Sequence, residues 1–290
     1  MIPQLQHNTL EWSRYSLELE SRTLVMGVLN VTPDSFYNGG RYHKWDHAIA
    51  QAHRMAKEGA DIIDVGGEST RPYSEPLSAE QELERVLPVV ETLSKELDLP
   101  ISIDTYKSEV ALKTLDAGAA MVNDISAMRF DPDMGRVVAA AGVPIVLMHM
   151  KGTPRDMQVN PTYDDLLGDI MEFLRGAADK AISMGIKRNL IIIDPGIGFG
   201  KSFDDNLLIL RELEQLSSLG YPVLVGTSNK SFIGRVLDLP VESRETGTMA
   251  TIAAAVMNGA HIIRAHNVRA AKETVTVIDA IKSGASAPFS

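Results

Sequence analysis

The chain has no cysteine among its 290 residues, which excludes disulfides, thiolate-held zinc and a cysteine nucleophile, and suits a reducing cytosol. It is also short of positive charge. Its 28 lysines and arginines stand against 38 aspartates and glutamates, a formal net charge of -10. A protein that tracks a phosphate backbone needs a basic face, so nucleic acid is excluded as a partner, and any small anion must be held by a local cluster of cations. No apolar run approaches the ~18 to 20 residues of a membrane span, and Ile2 to Trp12 lacks the basic patch and apolar core of a secretion signal. The expectation is a soluble cytoplasmic protein with no membrane partner. Linkers, sequence-level repeats and low-complexity blocks are missing too, and His149 is not backed by HExxH or other metal-ligand spacing.

What the chain does have is a rhythm. Eight short apolar runs each stop at a polar or turn-forming residue: Leu24 to Leu29 at Asn30, Ile62 to Val65 at Gly66, Ile101 to Ile103 at Asp104, and Met121 with Val122 at Asn123. The remaining four are Val143 to Met148 at His149, Leu190 to Ile193 at Asp194, Val223 to Val225 before Thr227-Ser228-Asn229-Lys230, and Ile262 to Ala265 at His266. Segments of helical period separate them, as parallel strands require of their crossovers. This spacing predicts an α/β fold, a single (β/α)8 TIM barrel over residues 23–282, with long polar loops after strands 1 and 2. Alternation at Tyr15, Leu17 and Leu19 puts a strand or hairpin within residues 1–22, closing the barrel floor, and residues 283–290 read as a frayed tail.

Helix punctuation agrees with this plan. Ser78 with Gln81 forms a capping-box start for a helix that Pro88 should bend, and Asp131-Pro132 reads as N-cap and first helical position of a helix ended by Gly142. The longest helix is expected from Tyr163 to Met184, and Leu207, Leu210, Leu213 and Leu216 suggest one continuous apolar face before Gly220. Gly247 to Met257 is rich in small residues suited to a subunit contact, and Val268 to Ile281 closes the series.

A parallel barrel gathers its chemistry at the carboxyl ends of the strands. Asp104, Asn123 and Asp194 each follow a strand there. Any one of them could simply cap a helix, but together they offer acceptors and a donor to the N–H, NH2 and C=O edge of a flat heterocycle. Lys230, Arg264 and His266 sit where such barrels commonly bind phosphate, and an arginine inside an apolar strand asks for an anionic partner. The glycine-rich segment Gly196 to Ser202 fits neither the Walker pattern, which needs Gly at Pro195, nor the dinucleotide fingerprint, which needs Gly or Ala at Lys201. Its glycines allow close approach to a flat ligand with Phe199 in contact, or else a tight strand-to-helix turn. Met148 is either adaptable filler or a wall of the same site.

The segments Leu29 to Phe36, Gly66 to Pro72, Ile103 to Lys107, Val122 to Asp124, Met148 to Met150, Asp194 to Lys201, Ser228 to Ser231 and Arg264 to His266 resemble, in order and spacing, the dihydropteroate synthase family of pterin-binding barrels. The likeness covers about residues 20–280. It implies a transferase of folate biosynthesis that joins 6-hydroxymethyl-7,8-dihydropterin pyrophosphate to 4-aminobenzoate, a sulfonamide target working as a homodimer. On that resemblance Asp104, Asn123, Met148, Asp194, Phe199 and Lys230 would hold the pterin, and Asn30, Arg264 and His266 the pyrophosphate, with Mg2+ as cofactor near Asn30. Phe36, Thr70, Arg71, Pro72, Lys230 and Ser231 would form the aminobenzoate pocket, and Asp34, Lys230 and Asp104 would serve catalysis. Three positions depart from the family pattern. Asn229 removes a charge on the aminobenzoate side, Asn267 alters the partner of His266, and Tyr73 stiffens the second loop. Other readings are a methyltetrahydrofolate:corrinoid methyltransferase, whose substrate lacks the pyrophosphate that Arg264 and His266 suit, a Schiff-base aldolase using Lys230, and a non-catalytic pterin-binding protein.

Overall fold

A computed structural model describes residues 9–31, 41–69 and 75–284, with side chains in the first helix described from Trp45 onward. The eight apolar runs become β3 (Leu24–Asn30), β4 (Ile62–Gly66), β5 (Ile101–Asp104), β6 (Met121–Asp124), β7 (Ile145–Met148), β8 (Ile191–Asp194), β9 (Leu224–Val225) and β10 (Ile262–Ala265). All pairings among them are parallel, in the order β8-β7-β6-β5-β4-β3-β10-β9, and a parallel bridge from Ile193 to Val223 joins the two ends into a barrel. Both faces of such strands are covered, which is why they read as continuous aliphatic runs rather than alternating ones. Every residue of β6, β7 and β8 is buried.

The crossovers are α1 (Arg41–Lys57), α2 (Ala79–Glu96), α3 (Ser108–Asp116), α4 (Met134–Ala141), α5 (Leu166–Ser183), α6 (Phe203–Arg211), α8 (Glu245–Met257) and α9 (Val268–Ser283). The Ser78–Gln81 capping box is formed at the start of α2, which continues through Pro88. Gly142 ends α4 in the left-handed conformation. Asp131 does not cap α4. Its carboxylate accepts from Ser108 N at 2.8 Å and Asp133 N at 3.0 Å, and the helix begins at Met134. The leucine face before Gly220 is split, because α6 stops at Arg211 and a 3-10 turn spans Leu213–Leu219, leaving Leu207 38% exposed. A further helix, α7 (Ser231–Leu237), lies in the β9–α8 connection where the sequence suggested only a polar opening.

Ahead of the barrel, β1 (Thr9–Trp12) and β2 (Tyr15–Glu18) form an antiparallel hairpin. Leu10, Trp12, Leu17 and Leu19 are buried, and the indole Nε1–H of Trp12 donates to the carbonyl of Ala120 at 2.7 Å. Ala120 immediately precedes β6, so the hairpin covers the amino ends of the strands and leaves the carboxyl ends open. The loop expected at residues 32–40, residues 70–74 of the loop expected over 66–76, and the tail from 285 onward lie outside the described residues.

Candidate active site

The register sets the mouth of the barrel. Asp104 pairs with Asn123 across β5 and β6, Met148 with Asp194 across β7 and β8, and Gly66 with both Asn30 and Asp104 across β3, β4 and β5. A Cβ placed on Gly66 would lie 3.6 Å from Asp104 Oδ2 and 3.8 Å from Asn30 Oδ1, so both groups border the same position of β4. Asn30, Asp104, Asn123, Met148, Asp194, Lys230 and Arg264 therefore converge on one end of one barrel.

Arg264 is the hub. Its Nε–H donates to Asp64 Oδ2 at 2.7 Å and one terminal N–H to Asp104 Oδ2 at 2.7 Å. The anionic partner that an arginine in an apolar strand requires is thus supplied from inside the barrel, by two carboxylates. Asp64 is the functional residue that sequence reasoning missed. It lies within the run Ile62-Ile63-Asp64-Val65, is fully buried, and also accepts the side-chain N–H of Asn123 at 2.9 Å. The signal was present, since an acid between buried aliphatics in a strand needs a donor. Burial pushes the Asp104 carboxyl well above the usual range, with Asp64 adding to the shift and Arg264 opposing it. Both carboxylates in turn help raise the Arg264 guanidinium against its burial.

Asp194 closes the other side. One of its oxygens accepts from Gly196 N at 2.6 Å, and burial raises its carboxyl to about 6. Lys230, the residue before α7, lies with Nζ 4.2 Å above the Phe199 ring. Burial, with Arg264 nearby, lowers its ammonium to about 8 while Asp194 and Asp104 hold it up. Beside these groups a small apolar cluster of Ile125, Met148, Met150 and Met157, with Tyr106 and Phe199 against it, stands apart from the main core. Met148, 4% exposed, belongs to this cluster and not to the main core.

The glycine-rich turn packs against its own chain. Gly196, Gly198 and Gly200 have φ of +69°, +82° and +65°, and a Cβ on Gly196 would come 1.9 Å from the carbonyl oxygen of His149. Lys201 is turned inward and only 2% exposed, donating to His149 Nδ1 at 2.8 Å, His149 O at 3.1 Å and Phe199 O at 3.0 Å. Its three donors are used, which leaves none for a phosphate. Burial drops Lys201 to about 7 and, with Lys201 adjacent, His149 to about 2, so the imidazole is neutral. Gly196→Ala combines a disfavoured φ with a backbone clash and should destabilise the fold by at least about 2 kcal/mol. An unchanged urea midpoint would show that this turn can relax.

His266 follows β10 and is exposed, with Nδ1 2.9 Å from Ser228 Oγ. Asn267 caps α9, its side-chain carbonyl accepting from Ala270 N at 3.1 Å, and its side-chain N–H donates to Glu245 at 2.6 Å. Asn229 adopts φ +59°, a conformation asparagine tolerates, and its carbonyl accepts from Arg244 at 3.2 Å, so a guanidinium reaches this corner from the start of α8. Ser231 opens α7 and is exposed. Asp34, Phe36, Thr70, Arg71, Pro72 and Tyr73 lie outside the described residues.

A (β/α)8 barrel whose mouth sets carboxylates, an amide, a lysine over an aromatic ring and a methionine-lined wall together has the makings of an enzyme for a flat, nitrogen-rich heterocycle. A family model described as pterin binding enzyme matches residues 26–266. The chain is 47% identical over 266 residues to a dihydropteroate synthase of Bacillus subtilis, covering 92% of this chain and 91% of that protein. It is 48% identical over 261 residues to one of Synechocystis, covering 90% of each. The Xanthomonas albilineans dihydropteroate synthase solved with 4-aminobenzoic acid superposes with a TM-score of 0.89 at 42% identity, covering 95% of this chain and 98% of that one. The same enzyme in complex with 7,8-dihydropteroate gives 0.86 at 40% identity, covering 95% and 99%. The chain belongs to the pterin-binding enzymes and, within them, to the dihydropteroate synthases, which makes it a transferase of folate synthesis.

Proposed function

We propose that this protein condenses 6-hydroxymethyl-7,8-dihydropterin pyrophosphate with 4-aminobenzoate, releasing pyrophosphate and 7,8-dihydropteroate. The observation that carries this reading is the mouth itself, where Asp104, Asn123, Asp194 and Lys230 surround one end of the barrel beside the methionine cluster. Asn123 and Asp194 meet the donor and acceptor edge of the pterin, Asp104 stays aligned by Arg264, and Met148 and Phe199 line the ring faces. Lys230 caps the ring from the Phe199 side and borders the aminobenzoate pocket with Ser231. Arg264, which keeps one terminal N–H group free of the pairs with Asp64 and Asp104, joins His266 and Asn30 at the pyrophosphate.

The bond between the pterin methylene and the pyrophosphate oxygen breaks, and its electron pair leaves with pyrophosphate. The methylene cation is delocalised into the electron-rich dihydropterin, the amine nitrogen of aminobenzoate attacks it, and the proton lost from nitrogen passes to solvent or phosphate. No enzyme nucleophile is required, so positioning and charge stabilisation carry the rate. Asp34, Phe36, Thr70, Arg71 and Pro72 enter this scheme on the family resemblance: Asp34 for the developing cation or the amine, the others for the aminobenzoate pocket.

Among the described residues no group of three or more His, Asp or Glu could hold a metal ion. The amide oxygen of Asn30 at the mouth is a hard oxygen ligand of the kind that would hold a Mg2+ together with the substrate's phosphates. When bound there, Mg2+ would neutralise charge on the leaving pyrophosphate.

Two further parts of the reading have their own tests. Val236, Leu237, Leu239, Val241 and Met257 are exposed around α7 and α8, which supports a homodimer through that face. Sedimentation showing only monomer at micromolar concentration would remove it. Among the described residues no helix is long and apolar enough to cross a membrane, and a cytoplasmic location agrees with the lack of cysteine. The pH dependence follows from three groups at the mouth. Asp104, raised to about 7, and Asp194, raised to about 6, gain protons in turn as pH falls, while Lys230, lowered to about 8, loses its proton as pH rises, so pterin affinity should peak between about pH 7 and 8 and decline steadily towards pH 5. Calorimetric titration across that range tests the reading, and a flat profile would count against Asp194 as the charged acceptor.

A further inference from the structure

Asp64 is buried completely, so it cannot reach a ligand in the mouth, yet two of the groups assigned to ligand binding are tied to it. One of its oxygens, Oδ2, takes both the Asn123 amide at 2.9 Å and the Arg264 Nε–H at 2.7 Å. Its other oxygen, Oδ1, is buried without a partner among the described residues, as is the hydroxyl of Ser102, its register partner on β5. A buried carboxylate with half its hydrogen-bonding capacity unused is a poor device for stability, where an aliphatic side chain of similar size serves at least as well. Nor does Arg264 depend on it for charge balance alone, since Asp104 already pairs with the guanidinium at 2.7 Å.

We propose that Asp64 is a positioning residue for pterin recognition: it fixes the amide of Asn123 in the orientation that presents its oxygen to the substrate, and holds Arg264 at the angle that serves Asp104. The inference rests on the pterin reading above. A carboxylate is an acceptor only, so the amide must turn its NH2 toward Asp64, and the reverse orientation would set two oxygens against each other. Asn123 Oδ1 has no partner among the described residues and is left as the acceptor for a ring N–H or exocyclic NH2. Without Asp64 the amide has no reason to prefer either face, and the site loses its ability to tell a donor edge from an acceptor edge. Selectivity of this kind depends on buried polar groups having one allowed state.

The test is a double-mutant cycle on the full chain, read by calorimetric titration of phosphate-free 6-hydroxymethylpterin, with the aminobenzoate KM measured in parallel. Asp64→Ala should weaken the pterin about tenfold, the scale of one hydrogen bond in a buried site, while the aminobenzoate KM at saturating pterin pyrophosphate stays within about twofold. Asp64→Asn keeps an acceptor oxygen and should recover most of the affinity. Because Asp64 acts through Asn123, adding Asp64→Ala to Asn123→Ala should cost clearly less than Asp64→Ala costs alone, the remainder being the part carried by Arg264 and Asp104, since residues in one network are not additive. Full additivity, or unchanged pterin affinity in a folded Asp64→Ala protein, overturns the proposal. Failure of the native protein to bind the pterin overturns the functional reading first, and this inference with it. Should Asp64→Ala not fold, the side-chain amide of Asn123 in the native protein, identified by its loss in Asn123→Ala, should show one strongly downfield, slowly exchanging proton. An ordinary exposed amide signal there would refute the carboxylate bond's orienting role.

Discussion

Asp194→Asn is expected to weaken pterin binding at least about tenfold while leaving the fold intact, because a charge-assisted bond is worth ~1.5 to 3 kcal/mol and the substitution hardly changes volume. One carboxylate oxygen is committed to Gly196 N at 2.6 Å, and an asparagine can keep that bond with its carbonyl. Its NH2 then falls where the second oxygen was, offering a donor to a ring edge that itself donates. Repulsion replaces attraction, and the negative charge that partly balances Lys230 is lost as well. The variant should keep only the part of the acid decline that Asp104 causes, since the carboxyl raised to about 6 is gone. Normal affinity for an unreactive pterin in a folded Asp194→Asn protein would end this assignment.

Arg264→Ala is expected to be the most damaging single change. It strips the cation from two carboxylates, of which Asp64 is fully buried and Asp104 largely so. Removing one partner of a buried ion pair costs about 3 to 5 kcal/mol, so a clear fall in melting temperature should accompany the functional loss. Affinity should fall for phosphate-free pterin, because Asp104 loses its alignment, and fall further for pterin pyrophosphate, which loses a charged contact too. Arg264→Lys should rescue little, since a point charge on a flexible stem cannot bridge two carboxylates as a planar guanidinium does. A loss confined to the pyrophosphate ligand, with stability unchanged, would mean that the pairs with Asp64 and Asp104 contribute nothing to ring recognition.

The contrast between these two residues shows what the sequence could carry. Asp194 was legible because it ends an aliphatic run, and the end of a barrel strand is where such folds keep their chemistry. The eight runs, the capping box at Ser78 and the glycine stop at Gly142 were legible for the same reason, since each is local. Asp64 was hidden because its meaning lies in Arg264, 200 positions away, and in Asn123, 59 away. Lys201 likewise looked like part of a failed phosphate motif until the fold turned it inward onto His149. Helix α7 escaped notice because seven residues hold too few turns to show a period. The contact of Asn267 with Glu245, 22 positions away, shows only in the fold.

The central claim is the reaction itself. Purified protein mixed with 6-hydroxymethyl-7,8-dihydropterin pyrophosphate, 4-aminobenzoate and Mg2+ should form 7,8-dihydropteroate and pyrophosphate in equal amounts by mass spectrometry, with neither product when aminobenzoate or protein is left out. A folded protein that binds the pterin but yields no dihydropteroate, or only the hydrolysed hydroxymethyl pterin, would contradict it.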